Sequence, residues 1–267
     1  MFIYPVKSCR GVSAKSSDLK ERGLAHDRRA MLIDSDNQFI SLRSHSCMAL
    51  LKPETIDGAL VINIGGKKIK SVPSDVRIDA QVQSDFVSVR VAEGEINKRL
   101  SAFFDEDIRL VFMDKITRRF FNANGAKTSV SLADGVPISI VNTASLAELS
   151  KTLGYEVSIE QFRPNLVIEA SAPWAEDRWR SIRVGNIILN LVKPINRCKI
   201  ITLDHTTGKQ TDAGIMRELI KSRRSGDKRV KGVLFGWAAV PENLARINVG
   251  DPVEILENGP PWSIIGN

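Results

Sequence analysis

The chain has 267 residues, 43 % hydrophobic and 26 % charged, with a formal net charge of +7. Such a composition belongs to a globular chain with room for one large or two modest domains; it excludes a low-complexity or disordered polymer. No apolar run approaches the roughly 20 residues of a membrane helix, and three scattered cysteines without a C-x-x-C pair exclude a disulfide framework and the common zinc and cluster sites.

In chain order, Phe2 to Val6 reads as a first strand, ended by Lys7-Ser8-Cys9-Arg10-Gly11. That basic, hydroxyl-bearing stretch suits either a solvated turn or a loop that grips an anion. Ala30 to Ile33 is the next strand, entered through Asp27-Arg28-Arg29. One of these arginines points inward and needs an anionic partner, for which an Asp27 ion pair suffices. Gln38 to Ser41 returns beside that strand. Ala59 to Ile64 and Lys67 to Ser71, joined by Gly65-Gly66, form the clearest hairpin.

Ser84 to Val91 alternates polar and apolar residues as a half-buried strand does. Ile96, Leu100, Phe103 and Phe104 then fall at helical spacing. Arg109 to Met113 is a strand, and the polar stretch Lys115 to Ser131 reads as a junction or flap. After Ile138 to Val141, Ser145 and Glu148 have capping-box spacing. Leu146, Leu149 and Leu153 give the helix a buried face and Gly154 ends it.

Phe162-Arg163-Pro164-Asn165 leads into the strand Leu166 to Ile168. Arg163 and Asn165 flank a rigid proline, and alternation sends both to one side, where they suit a phosphate or a ring with donors and acceptors; a structural salt bridge is the alternative. Trp174 and Trp179 cover a barrel end. Ser181 to Val184 and Ile187 to Lys193 make a second hairpin, which delivers the chain to Arg197-Cys198. Lys199 to Leu203 reads as a strand, with Asp204 and Gly208 as its closing turn. A cationic neighbour such as Arg197 favours a thiolate, the form that attacks carbon or binds metal; a buried core cysteine is the alternative. Asp212 can cap a helix carrying Ile215, Leu219 and Ile220. Lys221 to Lys231 reads as a solvated basic loop without the aromatics of a single-strand binder. Gly232 to Val240 and Asp251 to Leu256 are closing strands, and the tail beyond is loosely held.

The sum is a mainly β protein of two barrel-like lobes with a few short helices, divided as 1–115, 116–257 and a tail, 258–267. Without a signal-like block ahead of Lys7, and with few cysteines, the expected location is cytoplasmic, with neither membrane nor nucleic acid as partner.

Tyr4-Pro5-Val6-Lys7-Ser8, Phe162-Arg163-Pro164-Asn165, and Arg197-Cys198 followed by Thr202, Asp204 and Gly208 occur in an order and at separations that resemble the MOSC family (molybdenum cofactor sulfurase C-terminal). The resemblance is to the branch in which a MOSC N-terminal β-barrel domain precedes the MOSC domain, as in amidoxime-reducing components. It extends to Leu234-Phe235-Gly236 and Val249-Gly250-Asp251-Pro252-Val253. The resemblance implies a molybdenum–molybdopterin cofactor with Cys198 as the protein's thiolate ligand. Lys7, Ser8, Arg28, Arg163 and Asn165 would orient the pterin, Asn196 and Arg197 would frame the metal, and Asp204 would support it. The implied activity is reduction of N-hydroxylated compounds, such as amidoximes or hydroxylaminopurines. Electrons would come from a separate flavoprotein or iron–sulfur protein, since no cysteine follows Cys198. A non-catalytic carrier of the cofactor or its sulfur is the alternative. Pyridoxal phosphate binding, with Lys7 as the amine, is a further family trait. The sequence departs from the family at His205, where a proline is usual; an exposed turn histidine is expected.

Overall fold

The computed structural model describes residues 1–123, 126–211 and 213–265, so the expected helix cap Asp212 lies outside the described residues. The chain opens with β1 (Phe2–Ile3) and β2 (Val12–Ser13), then β3 (Ser16–Lys20), β4 (Gly23–Leu24) and β5 (Ala30–Ile33). A meander follows: β6 (Lys52–Ile56), β7 (Ala59–Ile64), β8 (Lys67–Ser71), β9 (Pro73–Val82) and β10 (Asp85–Ala92). Next come α1 (Gly94–Phe104), β11 (Arg109–Phe112), and a hairpin of β12 (Phe120–Ala123) and β13 (Ala126–Ser129). That hairpin occupies part of the stretch expected to be an irregular junction.

The second half holds β14 (Ile138–Asn142), α2 (Thr143–Leu153), β15 (Leu166–Ile168), β16 (Trp179–Val184) and β17 (Ile187–Arg197). It closes with α3 (Gly214–Ser222), β18 (Arg224–Ser225), β19 (Val233–Pro241), β20 (Arg246–Asn248), β21 (Val253–Asn258) and β22 (Ile264–Ile265). The fold is mainly β, as expected. Its largest sheet, ordered β15-β14-β19-β17-β16-β21 with β18 and β22 to one side, curls into a half-barrel.

Period-two alternation places the cores. In β5 and β11, Leu32 and Leu110 enter one apolar cluster while Met31, Ile33 and Val111 enter another, across the sheet β5-β11-β10-β9. In the large sheet, Ile140 and Trp237 face one core, and Val141 and Phe235 face α2 and α3 in the other. The Gly65-Gly66 hairpin holds with Ile64 opposite Lys67, both glycines at positive φ.

The two halves interlock. β3 pairs with β20 from the far end of the chain, and Leu19 and Leu24 are buried in the core of the large sheet. Phe2 N–H donates to the Asn165 carbonyl at 2.8 Å.

Several local expectations change. The cap of α2 is Asn142, whose side chain accepts from Ala144 N–H, and not Ser145. Ser145 instead donates to the buried Glu176 carboxylate at 2.7 Å. Lys199–Thr202 is a turn of 3₁₀-helix and not a strand, because Ile201 and Leu203 serve two different cores. Arg223, expected in a solvated loop, is buried against Asp177 at 2.8 Å. The tail is pinned by pairing of β22 with β18 and by Trp262 edge-on to Trp237. His205 is buried, at 4 % exposure, where an exposed turn residue was expected. Among the described residues, no helix is long and apolar enough to cross a membrane.

Candidate functional site

β17 runs between β16 and β19, and its last residue, Arg197, lies opposite Val233. Cys198 is the next residue, in extended conformation at the start of the 3₁₀ turn. The expected strand-end thiol is therefore present, although the strand precedes the cysteine. Its sulfur is exposed, whereas Cys9 is a core residue whose burial pushes the thiol up to about 12.

Arg197 fixes this position from behind. Its Nε donates to the Phe235 carbonyl at 2.7 Å and its Nη1 to the Phe162 carbonyl at 2.8 Å. Its Nη2 is buried without a partner. Burial pulls the guanidinium down to about 10, with Cys198 beside it acting in the other direction, so it stays charged at neutral pH. Space for it exists because residue 236 is glycine: a Cβ there would lie 3.1 Å from Arg197 Nη2 and 2.5 Å from the Ile140 carbonyl oxygen.

From the other half of the molecule, Arg43 Nη1 lies 3.9 Å from the Cys198 sulfur. Arg28 and Arg163 both lie against the Tyr4 ring, their guanidinium carbons 4.4 and 4.3 Å from its centroid. Arg28 is anchored to the buried Asp27 at 2.6 Å, the ion pair expected from the sequence. Arg28 also reaches the Arg163 carbonyl at 3.3 Å and Asn165 Oδ1 at 3.4 Å. Arg163 turns back through a left-handed backbone, φ 51°, and its Nη2 is buried and unpartnered. Burial lowers the Arg163 pKa, with Tyr4 opposing. Proximity to Arg28 also pulls down Lys7, Arg163 and Arg197, after the larger effect of burial, so the four cations share one neighbourhood.

Lys7 and Ser8 are the central residues of the turn closed by Cys9 N–H donating to the Val6 carbonyl at 3.2 Å. Lys7 is buried, paired with the rim carboxylate of Asp134, and lies 5.0 Å from the centroid of the Phe39 ring. That pairing leaves its amine ill placed to form an imine with pyridoxal phosphate. Ser8, at φ 66°, has no side-chain hydrogen bond among the described residues.

The structure thus gathers Lys7, Arg28, Arg43, Arg163 and Arg197 around the approach to Cys198, against the carboxylates of Asp27 and Asp134. Among the described residues, Arg43, Arg163 and Arg197 have no carboxylate within ion-pair distance. Buried guanidinium nitrogens without partners are costly unless an anion or hydrogen-bond acceptor joins them. The cluster is therefore suited to an anionic ligand that also meets a soft sulfur.

Other expected residues serve differently. Asn165 is consumed internally: its Oδ1 accepts from Ser139 N–H and Oγ, at 3.2 and 3.1 Å, and its Nδ2 donates to the Phe2 carbonyl at 3.3 Å. It positions Arg28 and ties β1 to β14. Asn196 is exposed and packs over Gly232, where a Cβ would fall 2.5 Å from its Oδ1. Asp204 folds its own turn, accepting from Thr206 N–H at 2.7 Å and Thr206 Oγ1 at 2.6 Å. These bonds hold its carboxyl down to about 2. Tyr4 as a platform, Arg43 and Asp134 were not singled out as site residues from the sequence. Tyr4 opens the motif that carries the resemblance, but its role as a platform, like the places of Arg43 and Asp134, is set by the fold alone.

The model of the MOSC N-terminal beta barrel domain matches residues 1–107, and that of the MOSC domain matches residues 127–254. Mitochondrial amidoxime-reducing component 1 of Mus musculus is 28 % identical over 280 residues, covering 96 % of this chain and 81 % of that one. Mitochondrial amidoxime reducing component 2 of Bos taurus is 28 % identical over 273 residues, 95 % of this chain and 81 % of that one. The molybdenum cofactor sulfurase of Danio rerio is 26 % identical over 239 residues, 79 % of this chain but 28 % of that one. With the two models matched in order along the chain, this protein belongs to the MOSC family, in the branch that joins a MOSC N-terminal beta barrel domain to a MOSC domain.

Proposed function

We propose that this chain binds a molybdenum–molybdopterin cofactor, with Cys198 as the protein's ligand to the metal, and reduces N-hydroxylated compounds with electrons from a separate flavoprotein or iron–sulfur protein. The observation that carries this reading is an exposed sulfur next to Arg43 and Arg197, in a cation cluster where Arg197 and, beside Tyr4, Arg163 keep buried guanidinium nitrogens without a partner. Among the described residues, no group of three or more His, Cys, Asp or Glu side chains is placed to hold a metal ion. A metal at Cys198 would therefore bring most of its ligands with it, as a dithiolene does. When bound, the cofactor supplies the two-electron redox centre that removes oxygen from an N–O bond.

The protein's own part is binding and orientation. Arg163 Nη2 and the Ser8 hydroxyl are free donors for a phosphate or pterin edge. Lys7, held by Asp134, and Arg28, held by Asp27, add fixed positive charge. Arg197 locks the backbone that presents the thiol, and Asn165 sets the height of Arg28. Of the relatives' printed names, molybdenum cofactor sulfurase gives the cofactor and amidoxime-reducing component gives the reaction. The exposure of Cys198 also suits a carrier that hands on cofactor or sulfur.

Metal and pterin analysis of the purified protein, beside an amidoxime-reduction assay with an artificial donor, tests both readings. The reductase reading expects about one molybdenum per pterin per chain together with turnover. Bound cofactor without turnover selects the carrier, and no cofactor after loading rejects both.

A further inference from the structure

Away from the cluster at Cys198, a cleft of about 410 Å³ opens in the N-terminal half, between the sheet β6-β7-β8 and the backbone at Pro5 and Arg29–Ala30. Tyr4–Pro5 and Arg28–Arg29 form its shared wall with the Cys198 site, joined by Arg28 N–H to the Tyr4 carbonyl at 2.7 Å and Ala30 N–H to the Pro5 carbonyl at 3.2 Å. Arg28 lies in the turn before β5 with a left-handed backbone, φ 49°, so the chain reverses direction between it and Arg29. Tyr4 and Arg28 join the cationic cluster, and Pro5 and Arg29 line the cleft.

Two features of the cleft lack a structural explanation. Ser71 is 3 % exposed, lines the cleft, and its Oγ has no hydrogen-bond partner. Register places it in a row with Leu60 and Thr55, directly opposite one another across the three strands and on one face. Arg29 has no carboxylate within ion-pair distance among the described residues. Asp27 is already committed to Arg28 and to Tyr4 N–H, and Asp57 stands exposed at the rim. Burial, reinforced by Arg22, pulls the Arg29 guanidinium down to about 10. A half-buried guanidinium and a buried hydroxyl without a partner line one cleft together with Leu60, Pro73 and Phe112, the makings of a carboxylate clamp with an apolar floor.

We propose that this cleft is a second ligand site, which takes a small organic carboxylate: the carboxylate on Arg29 and Ser71, the apolar body against Leu60 and Phe112. The site is separate from the one at Cys198 and does not depend on its reading. Calorimetric titration of the full chain with sodium benzoate, and in parallel with inorganic phosphate, tests it. Benzoate should bind saturably at one site. Arg29→Gln should weaken it about tenfold or more, and Ser71→Ala about threefold to tenfold. Cys198→Ala should leave benzoate binding unchanged, and the phosphate binding that Arg29→Gln weakens should be at least about tenfold weaker than that of benzoate, because phosphate gains nothing from the apolar floor. Ser71→Ala removes only a hydroxyl, so it keeps the test informative if Arg29→Gln folds poorly. Absence of saturable benzoate binding, binding indifferent to both substitutions, or binding lost with Cys198→Ala overturns the proposal. Phosphate binding as tight as benzoate and weakened to the same degree by Arg29→Gln overturns the carboxylate assignment.

Discussion

Cys198 and His205 show how much a single side chain depends on what surrounds it. Cys198→Ala leaves Arg197 and its two carbonyl partners in place, so the fold should survive while bound molybdenum falls to background by elemental analysis; full metal retention would remove Cys198 from the site. His205 was expected to be a surface turn residue, yet burial, with Arg163 nearby, pulls its pKa from 6.5 to about 3. The unfolded chain therefore binds this proton more readily than the folded one. The stability associated with neutral His205 is complete above pH 6.5 and is lost as pH falls toward 3, with a slope of up to about 1.4 kcal/mol per pH unit. In urea titrations across that window, His205→Leu should show a flatter profile than the parent. Equal slopes would mean that the imidazole is not buried neutral.

At the scale of the element, β17 and β19 decide the geometry of the thiol, and their security rests on a few polar anchors. Asp177 accepts from Arg223 at 2.8 Å and from Trp237 Nε1 at 3.2 Å, both within the protein interior. Asp177→Ala leaves Arg223 buried and unpaired, and should cost about 3–5 kcal/mol in equilibrium unfolding. In β19, Gly236 at φ 72° admits Arg197. Gly236→Ala should cost about 1–3 kcal/mol in backbone strain and also reduce molybdenum retention, since it crowds the residue that holds Cys198. A variant with lowered stability but unchanged metal content would confine this glycine to a structural role. The basic loop after α3 shows why charge runs mislead. Lys221 and Arg224 are exposed, but Arg223 between them is a buried strut.

Over the whole molecule, the two family-matched regions do not behave as beads on a string. Leu19 and Leu24 are buried with Ile182, Leu189 and Trp237, and β3 takes its partner from residues 246–248. Residues 127–254 expressed alone should therefore expose that apolar face, bind a hydrophobic dye and lack a cooperative transition, whereas the full chain should unfold in one step; a well-folded fragment would contradict the interlocked core. Elements whose signals are local were legible beforehand: the Gly65-Gly66 hairpin, the helix from Gly94 to Phe104, and the strand from Ala30 to Ile33. Each carries its own periodicity or turn chemistry. The Lys199–Thr202 turn was not legible, because a short apolar run has no period and its residues are divided between two cores. The chain alone determined which residue types were available: a lone thiol after an arginine, an arginine and asparagine about a proline, and a lysine–serine turn. The tertiary structure decided which of them share a space, drew in Tyr4, Arg43 and Asp134, assigned Asn165 and Asp204 to internal bonds, and turned Arg29 away from Arg28. Those outcomes depend on contacts between segments up to 163 residues apart, and such contacts are set by packing and burial, which no local pattern encodes.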